Sequence, residues 1–298
     1  MSVDSRKTLL EIVNHILTQH EDVRVSTKRI LDQGSSTAER MAGLGIDELF
    51  PIFTPKSGGT ALMRASATID AINDSFPLLA SLAHAAHGKS LSITELESAF
   101  TTDAQRERTQ KLEIELNRYG SDKASTHAYH HFYANAFDEP DGVLNVLEIG
   151  LGTNNVDVLS SMGPTGRPGA SLRAFRNFFS RAEMHGCDVD ARILFTEERI
   201  RTFEVNQTLP ETFLKLPQEF SYDLMIDDGL HSPHANVASL AYFLGKIRKG
   251  GWAVVEDIGI EALPIWQTVH IVLPPNFESV LYKSRHTNSM LFGVRKLS

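Results

Sequence analysis

The stretch Asn145-Val-Leu-Glu-Ile-Gly-Leu-Gly-Thr153, with Asn154 and Asn155 after it, reads as a short buried strand running into a glycine turn. Val146, Leu147 and Ile149 supply the apolar, partly β-branched run of a parallel strand covered on both faces. Gly150 and Gly152 let the backbone turn tightly and approach a ligand with no Cβ in the way. Glu148 lies inside the apolar run, where a carboxylate needs a local reason, because burying an unpaired charge is costly. Strand, buried acid and glycine turn together place a nucleotide-like cofactor at the carboxyl end of an open sheet. The dinucleotide pattern G-x-G-x-x-G is not met, since Asn155 stands at its third glycine.

Downstream, strands alternate with helices in the manner of a doubly wound α/β sheet. Strands are expected over residues 146–150, 183–188, 201–206, 222–227 and 252–256. Residues 279–283 and 289–295 then close the chain as an antiparallel pair, which makes seven strands. A helix from near Pro233 to before Gly250 joins the fourth strand to the fifth. Asp188 ends the second strand, placed to accept hydrogen bonds from ribose hydroxyls, with Asp190 as a spare. Asn206 and Gln207 close the third strand, where they can meet an adenine edge. Cys187, inside the second strand, reads as a small core residue rather than a nucleophile.

Two acid pairs follow apolar strands: Asp227-Asp228-Gly-Leu-His231 and Val254-Val-Glu256-Asp257. Asp228 and Glu256 are 28 residues apart, close to one βαβ unit of roughly 30. Ends of neighbouring strands lie about 5 Å apart, so Asp228, Glu256 and Asp257 are expected to converge. Three ionised carboxylates do not crowd together without a cation, and an all-oxygen set favours Mg²⁺, Ca²⁺ or Mn²⁺. His231, three residues beyond Asp228, reaches the same pocket with a nitrogen suited to general base work.

The rest of the sequence sets the boundaries. Its 298 residues are 42% hydrophobic and 22% charged, which suits a soluble globular protein with one large domain or two smaller ones. A net charge of −8 argues against nucleic acid as the main partner. Cys187 is the sole cysteine, which excludes an intramolecular disulfide and fits a reducing cytoplasm. No signal-type segment follows the first residues, and no run approaches the roughly 20 apolar residues of a membrane span. Residues 1–118 read as a helical module without a catalytic cluster, serving oligomerisation or as a lid. Its helices are expected on the face marked by Leu9, Leu10, Ile12, Val13, Ile16 and Leu17, and over 27–31, 36–41, 61–82 and 93–117. Gly120-Ser-Asp-Lys123 opens a polar and aromatic stretch containing His127, His130 and His131. Their spacing suits no standard zinc motif, so a surface or lid helix is expected there.

From Tyr119 to the C-terminus the chain resembles the class I S-adenosylmethionine-dependent methyltransferases. Within them it is most similar to the metal-dependent macrolide-sugar O-methyltransferases of the mycinamicin and macrocin type. The matching pieces are Gly120-Ser-Asp-Lys123, Leu147-Glu-Ile-Gly-Leu-Gly152, Pro168-Gly-Ala-Ser-Leu-Arg173, Gly186-Cys-Asp188, Asp227-Asp-Gly-Leu-His231 and Gly250-Gly-Trp-Ala-Val-Val-Glu-Asp257. The resemblance implies a Rossmann-like domain over 119–298 that uses S-adenosylmethionine and Mg²⁺ or Mn²⁺. It implies Asp228, Glu256 and Asp257 as metal ligands, and His231 with Asp228 as the catalytic pair. It further implies cofactor contacts from Lys123, Glu148, Gly150, Gly152, Asn154, Ser171, Asp188, Asn206, Gln207 and Asp227. The chain departs from the pattern at Thr153-Asn154-Asn155, in an insert over Val156 to Arg167, and at Asn206, where an aspartate is usual.

The implied reaction moves a methyl group from S-adenosylmethionine to a hydroxyl of a sugar-like small molecule, in a cytoplasmic dimer or tetramer with no membrane partner. A nitrogen acceptor, and a non-catalytic cofactor-binding assembly protein, remain as alternatives. Metal dependence of turnover separates the first, and absence of turnover the second.

Overall fold

The computed structural model describes residue 39 and residues 42–43, 45–56 and 58–298. Its helices are α1 (Ile46–Leu49), α2 (Ala61–His87), α3 (Leu96–Ala99), α4 (Asp103–Tyr119), α5 (Asp122–Ser125), α6 (His130–Tyr133), α7 (Ala170–Phe178), α8 (Pro233–Lys246) and α9 (Leu263–Val272). The strands are β1 (Ile93–Glu95), β2 (Asn145–Ile149), β3 (Glu183–Asp188), β4 (Thr196–Glu197), β5 (Ile200–Glu204), β6 (Tyr222–Asp227), β7 (Ile247–Ile258), β8 (Phe277–Lys283) and β9 (Met290–Lys296). The expected helices over residues 9–17 and 27–31, and all but Glu39 of 36–41, lie outside the described residues.

Every residue of β2 is buried, as its two-sided apolar pattern requires. The sheet runs β1-β8-β9-β7-β6-β2-β3-β5-β4, with the five strands from β7 to β5 parallel. The chain builds outward from β2 through β3 to β5, then returns to lay β6 on the other side of β2. That reversal between β2 and β6 is the point where open α/β sheets bind ligands, beyond the strands' carboxyl ends. Asp228 N donates to Ile149 O at 2.9 Å, so the end of β6 lies directly beside the glycine turn. As expected, the last strand is antiparallel: β9 pairs with β7 on one side and β8 on the other.

The sheet has nine strands rather than the expected seven. The additions are edge strands of three and two residues: β1 pairs with β8, matching Ile93 to Leu281, and β4 pairs with β5, matching Thr196 to Arg201. The helix expected over 93–117 is therefore divided into β1, α3 and α4. Its restart is set by a capping box, in which Thr102 Oγ1 accepts from Gln105 N and Gln105 Oε1 accepts from Thr102 N.

Two units make up the chain. One, Leu91–Ala262 with Leu273–Ser298, contains the whole sheet. Within it α4, which sequence places in the 1–118 module, packs on α7. Leu172, Ala174 and Phe175 of α7 are buried there, and Trp252 lies edge-on to Phe132 at 5.2 Å. The other unit, Met1–Ser90 with Leu263–Val272, has α2 packed with α1 and α9 among its described residues. Helix α2 starts at the Thr60 cap and runs past the expected residue 82 to Gly88, whose φ of 64° ends it. No described helix is long and apolar enough to cross a membrane.

The core contains a histidine. His185 on β3 is fully buried, with Nδ1 2.8 Å from Tyr222 Oη and Nε2 3.4 Å from an Arg201 nitrogen. Burial, and then Arg201, lower its pKa from 6.5 to about 4. The unfolded chain therefore takes up this proton first, so stability present above pH 6.5 is lost as pH falls through about 4. By urea denaturation, wild type should lose about 3 kcal/mol more than His185→Gln between neutral pH and pH 4. Equal losses would mean that His185 does not set this dependence.

Candidate active site

Gly150 and Gly152 adopt φ of 88° and 76°, and neighbouring acids hold the turn they make. Asp188 Oδ2 accepts from Leu151 N at 2.8 Å, and its Oδ1 accepts from Asp190 N at 2.9 Å. Asp190, expected as a spare for the ribose, is engaged within the chain. It accepts from Thr153 Oγ1 at 2.6 Å, Asn155 Nδ2 at 2.7 Å and Arg192 Nε at 2.7 Å. The Arg192 hydrogen bond, followed by that from Thr153, holds its carboxyl well below the usual range.

Above the turn opens a cavity of about 350 Å³, walled by Gly150, Gly152, Asp188, Asn206, Gln207, Asp228, His231 and Asp257. The insert supplies Val158, Leu159, Ser160 and Met162 to the same wall. A Cβ on Gly152 would fall 2.5 Å from Met162 Sδ, so the insert lies over the turn itself. Val205 and Val189 line the side near Asp188. Cofactor atoms can be held here by Asp188, by Asn206 and by the turn.

Five of the expected cofactor residues, Lys123, Glu148, Asn154, Ser171 and Asp227, do not line this cavity. Asp227 is buried beneath the cavity, accepting from Gln207 Nε2 at 2.6 Å and Asn236 Nδ2 at 3.1 Å. Gln207 spends its whole amide on this network, since its Oε1 accepts from Leu230 N at 2.8 Å. Asn154 is exposed, beside Gly166. Glu148 is buried, and accepts from Ser171 Oγ at 2.7 Å. Lys123 and Ser171 line a cavity of about 20 Å³ that shares Gly150, Gly152 and Asp228 with the larger one.

The acids do converge, and a cation is among them. Lys123 is 2% exposed. Its Nζ lies 2.6 Å from Asp228 Oδ2, 2.5 Å from Glu256 Oε2 and 3.4 Å from Glu148 Oε1. Tyr133 Oη donates to the other Glu256 oxygen, so both oxygens of that acid are engaged. Burial opposes a charged Lys123, but Asp228 and Glu256 outweigh it and raise the ammonium well above its ordinary value. Burial, against the pull of Lys123, pushes Glu256 well up and Glu148 to about 7. Burial also acts upward on Asp228, yet Lys123 overrides it, so that carboxyl sits below its usual value.

Asp257 faces the cavity with its second oxygen. Its Oδ1 accepts from Tyr129 Oη at 2.7 Å and lies 3.2 Å from His127 Nδ1. Its Oδ2 is 3.8 Å from His231 Nε2, which is 4.0 Å from Asp228 Oδ1. One donor atom each from Asp228, His231 and Asp257 falls within 4.8 Å of the others. The hard oxygens of Asp228 and Asp257, opening on one cavity, suit a small divalent cation, with the His231 imidazole beside them. His231 and Asp257 both adopt φ of 53°, a costly backbone for non-glycine residues that is concentrated at functional sites.

Sequence reasoning named Lys123 only as a cofactor contact, and it missed the phenols. The stretch from Gly120 to Tyr133 was expected as a surface or lid helix, yet Lys123, Tyr129 and Tyr133 are buried. Their polar ends meet Glu256, Asp228 and Asp257, which removes the cost of burial. The four-residue spacing of Tyr129 and Tyr133 just ahead of β2 was the one available signal.

A parallel sheet reversing at β2 and β6, closed by an antiparallel last strand, with glycine turn and acids at its carboxyl ends, defines the class I S-adenosylmethionine-dependent methyltransferase fold. A solved structure bears out that likeness: the MycE methyltransferase from the mycinamycin biosynthetic pathway, in complex with Mg, SAH and mycinamycin VI, superimposes with a TM-score of 0.50 at 24% identity. That match covers 63% of this chain and 53% of the other. In sequence, the chain is similar to sugar O-methyltransferases. The 8-demethyl-8-alpha-L-rhamnosyl tetracenomycin-C 2'-O-methyltransferase of Streptomyces olivaceus is 29% identical over 152 residues, 50% of this chain and 38% of that protein. The mycinamicin VI 2''-O-methyltransferase of Micromonospora griseorubida is 33% identical over 91 residues, 30% of this chain and 23% of that one. The chain thus spans well under half the length of these relatives. No family model matches it.

Proposed function

We propose that the chain is a metal-dependent O-methyltransferase that moves a methyl group from S-adenosylmethionine to a hydroxyl of a sugar-like or natural-product small molecule. The observation that carries this reading is one cavity shared by the glycine turn, Asp188 and the Asp228–His231–Asp257 group. The activities of these relatives support the choice of a sugar hydroxyl.

Asp188 accepts from ribose hydroxyls, while the turn from Gly150 to Gly152 lets the cofactor approach the backbone. Asp228, Glu256 and Asp257 would hold a divalent cation, which would supply the Lewis acidity that lowers the hydroxyl pKa. His231 Nε2 takes the hydroxyl proton as the acceptor oxygen attacks the sulfonium methyl, and the sulfonium leaves as a thioether. Asp228 and Asp257 lie 4.0 and 3.8 Å from that nitrogen. Alignment of the two reactants can supply roughly 7–11 kcal/mol, more than the base's contribution of about 10²–10⁴ in rate. Residues 1–118 act in assembly of a cytoplasmic homo-oligomer or as a lid over the acceptor.

Calorimetry should show micromolar binding of S-adenosylmethionine and S-adenosylhomocysteine, and none of NAD. With a panel of glycosylated acceptors, methyl transfer should appear with Mg²⁺ or Mn²⁺ and vanish in EDTA. Full turnover in EDTA, or NAD binding as tightly as S-adenosylhomocysteine, would overturn the reading.

A further inference from the structure

We infer that Lys123 is the resident cation of the carboxylate cluster: it holds Asp228, Glu256 and Glu148 together before any metal arrives, and it then competes with the divalent ion for them. The inference rests on the metal reading above and adds a positioning residue to it. Three features carry it. The ammonium is 2% exposed and lies within 2.6 Å of oxygens on both Asp228 and Glu256. Its third neighbour, Glu148 Oε1, is buried without a hydrogen-bond partner, so Lys123 is the charge that answers it at 3.4 Å. Finally, Asp228 is shared: Oδ2 faces Lys123, and Oδ1 faces His231 in the group that fits a cation. Two positive charges therefore draw on one carboxylate. Like charges at such separations repel strongly where water is excluded.

Placing the lysine by packing alone would predict a variant that is merely less stable. Competition predicts a variant that binds metal better. Lys123→Met should bind Mn²⁺ about tenfold more tightly than wild type by calorimetry, equivalent to about 1.4 kcal/mol. In EDTA its melting temperature should fall by roughly 10 °C, since it leaves buried acids unpaired. Mn²⁺ should restore most of that loss, while wild type responds less. In EDTA, Lys123→Met/Glu256→Gln should recover stability relative to Lys123→Met, because one of the unpaired charges is gone. Unchanged or weaker Mn²⁺ affinity in folded Lys123→Met overturns the competition. No recovery in the double variant overturns the resident cation. Absence of Mn²⁺ binding to wild type would instead bring down the metal reading and the competition with it, while the double variant still decides what Lys123 does in the metal-free cluster.

Discussion

His231→Asn lowers turnover about 10²–10⁴-fold, the range expected for loss of a general base, and leaves S-adenosylhomocysteine affinity within about twofold. Asparagine is the informative replacement here. His231 has φ of 53°, and asparagine accepts the left-handed region more readily than alanine does. The backbone that carries the loop after β6 is therefore kept, and the change is confined to the imidazole. Its Nε2 stands 3.8 Å from Asp257 and 4.0 Å from Asp228, at the carboxylate group rather than among the acids that hold the glycine turn. Single-turnover methyl transfer measures the first effect and calorimetry the second. Equal losses in both would reassign His231 from proton removal to cofactor binding.

Gly150→Ala destabilises the sheet unit by about 4 kcal/mol in urea denaturation, combining left-handed strain of about 1–3 kcal/mol with overpacking of similar size. A Cβ there would sit 2.0 Å from Asp228 O and 2.5 Å from its carbonyl carbon. That obstacle is backbone, tied in turn to Ile149 O at 2.9 Å, so no side-chain rotation relieves it. Gly152→Ala should cost clearly less, although its φ is also positive, because the atom it meets is the flexible thioether of Met162. Equal costs at the two positions would mean that strain alone, and not the close approach of the end of β6 to the turn, demands glycine at 150.

These two positions also show what sequence reveals and what it withholds. The run Val146 to Ile149 shows its place in the sheet because burial on both faces leaves a composition signature. Asp228, His231, Glu256 and Asp257 were legible because strand ends are regularly spaced along a βαβ chain. Lys123 was named only as a cofactor contact implied by the resemblance, not as the cluster's cation: its partner Asp228 is 105 residues away, and nothing local distinguishes a buried lysine from a solvated one. Glu148, Gln207 and Asp227 carry residue types suited to cofactor contact, and the structure also bonds them within the chain, Gln207 to Asp227 and Ser171 to Glu148. Which way a polar side chain turns depends on what tertiary packing brings beside it. The edge strands escaped notice for a related reason. Ile93–Glu95 and Thr196–Glu197 are exposed, so only the neighbouring strands β8 and β5 make them strands at all.

The packing of α9 against α2 has a consequence for the order of events during synthesis. Residues 61–87 emerge from the ribosome early, but the partner helix Leu263–Val272 follows only after most of the sheet has been translated. The amino-terminal unit therefore cannot complete itself first, as the leading part of a growing polypeptide often does. That helix must wait for this partner until the strands β1 to β7 have been made, which makes its completion a long-range closure rather than a local one.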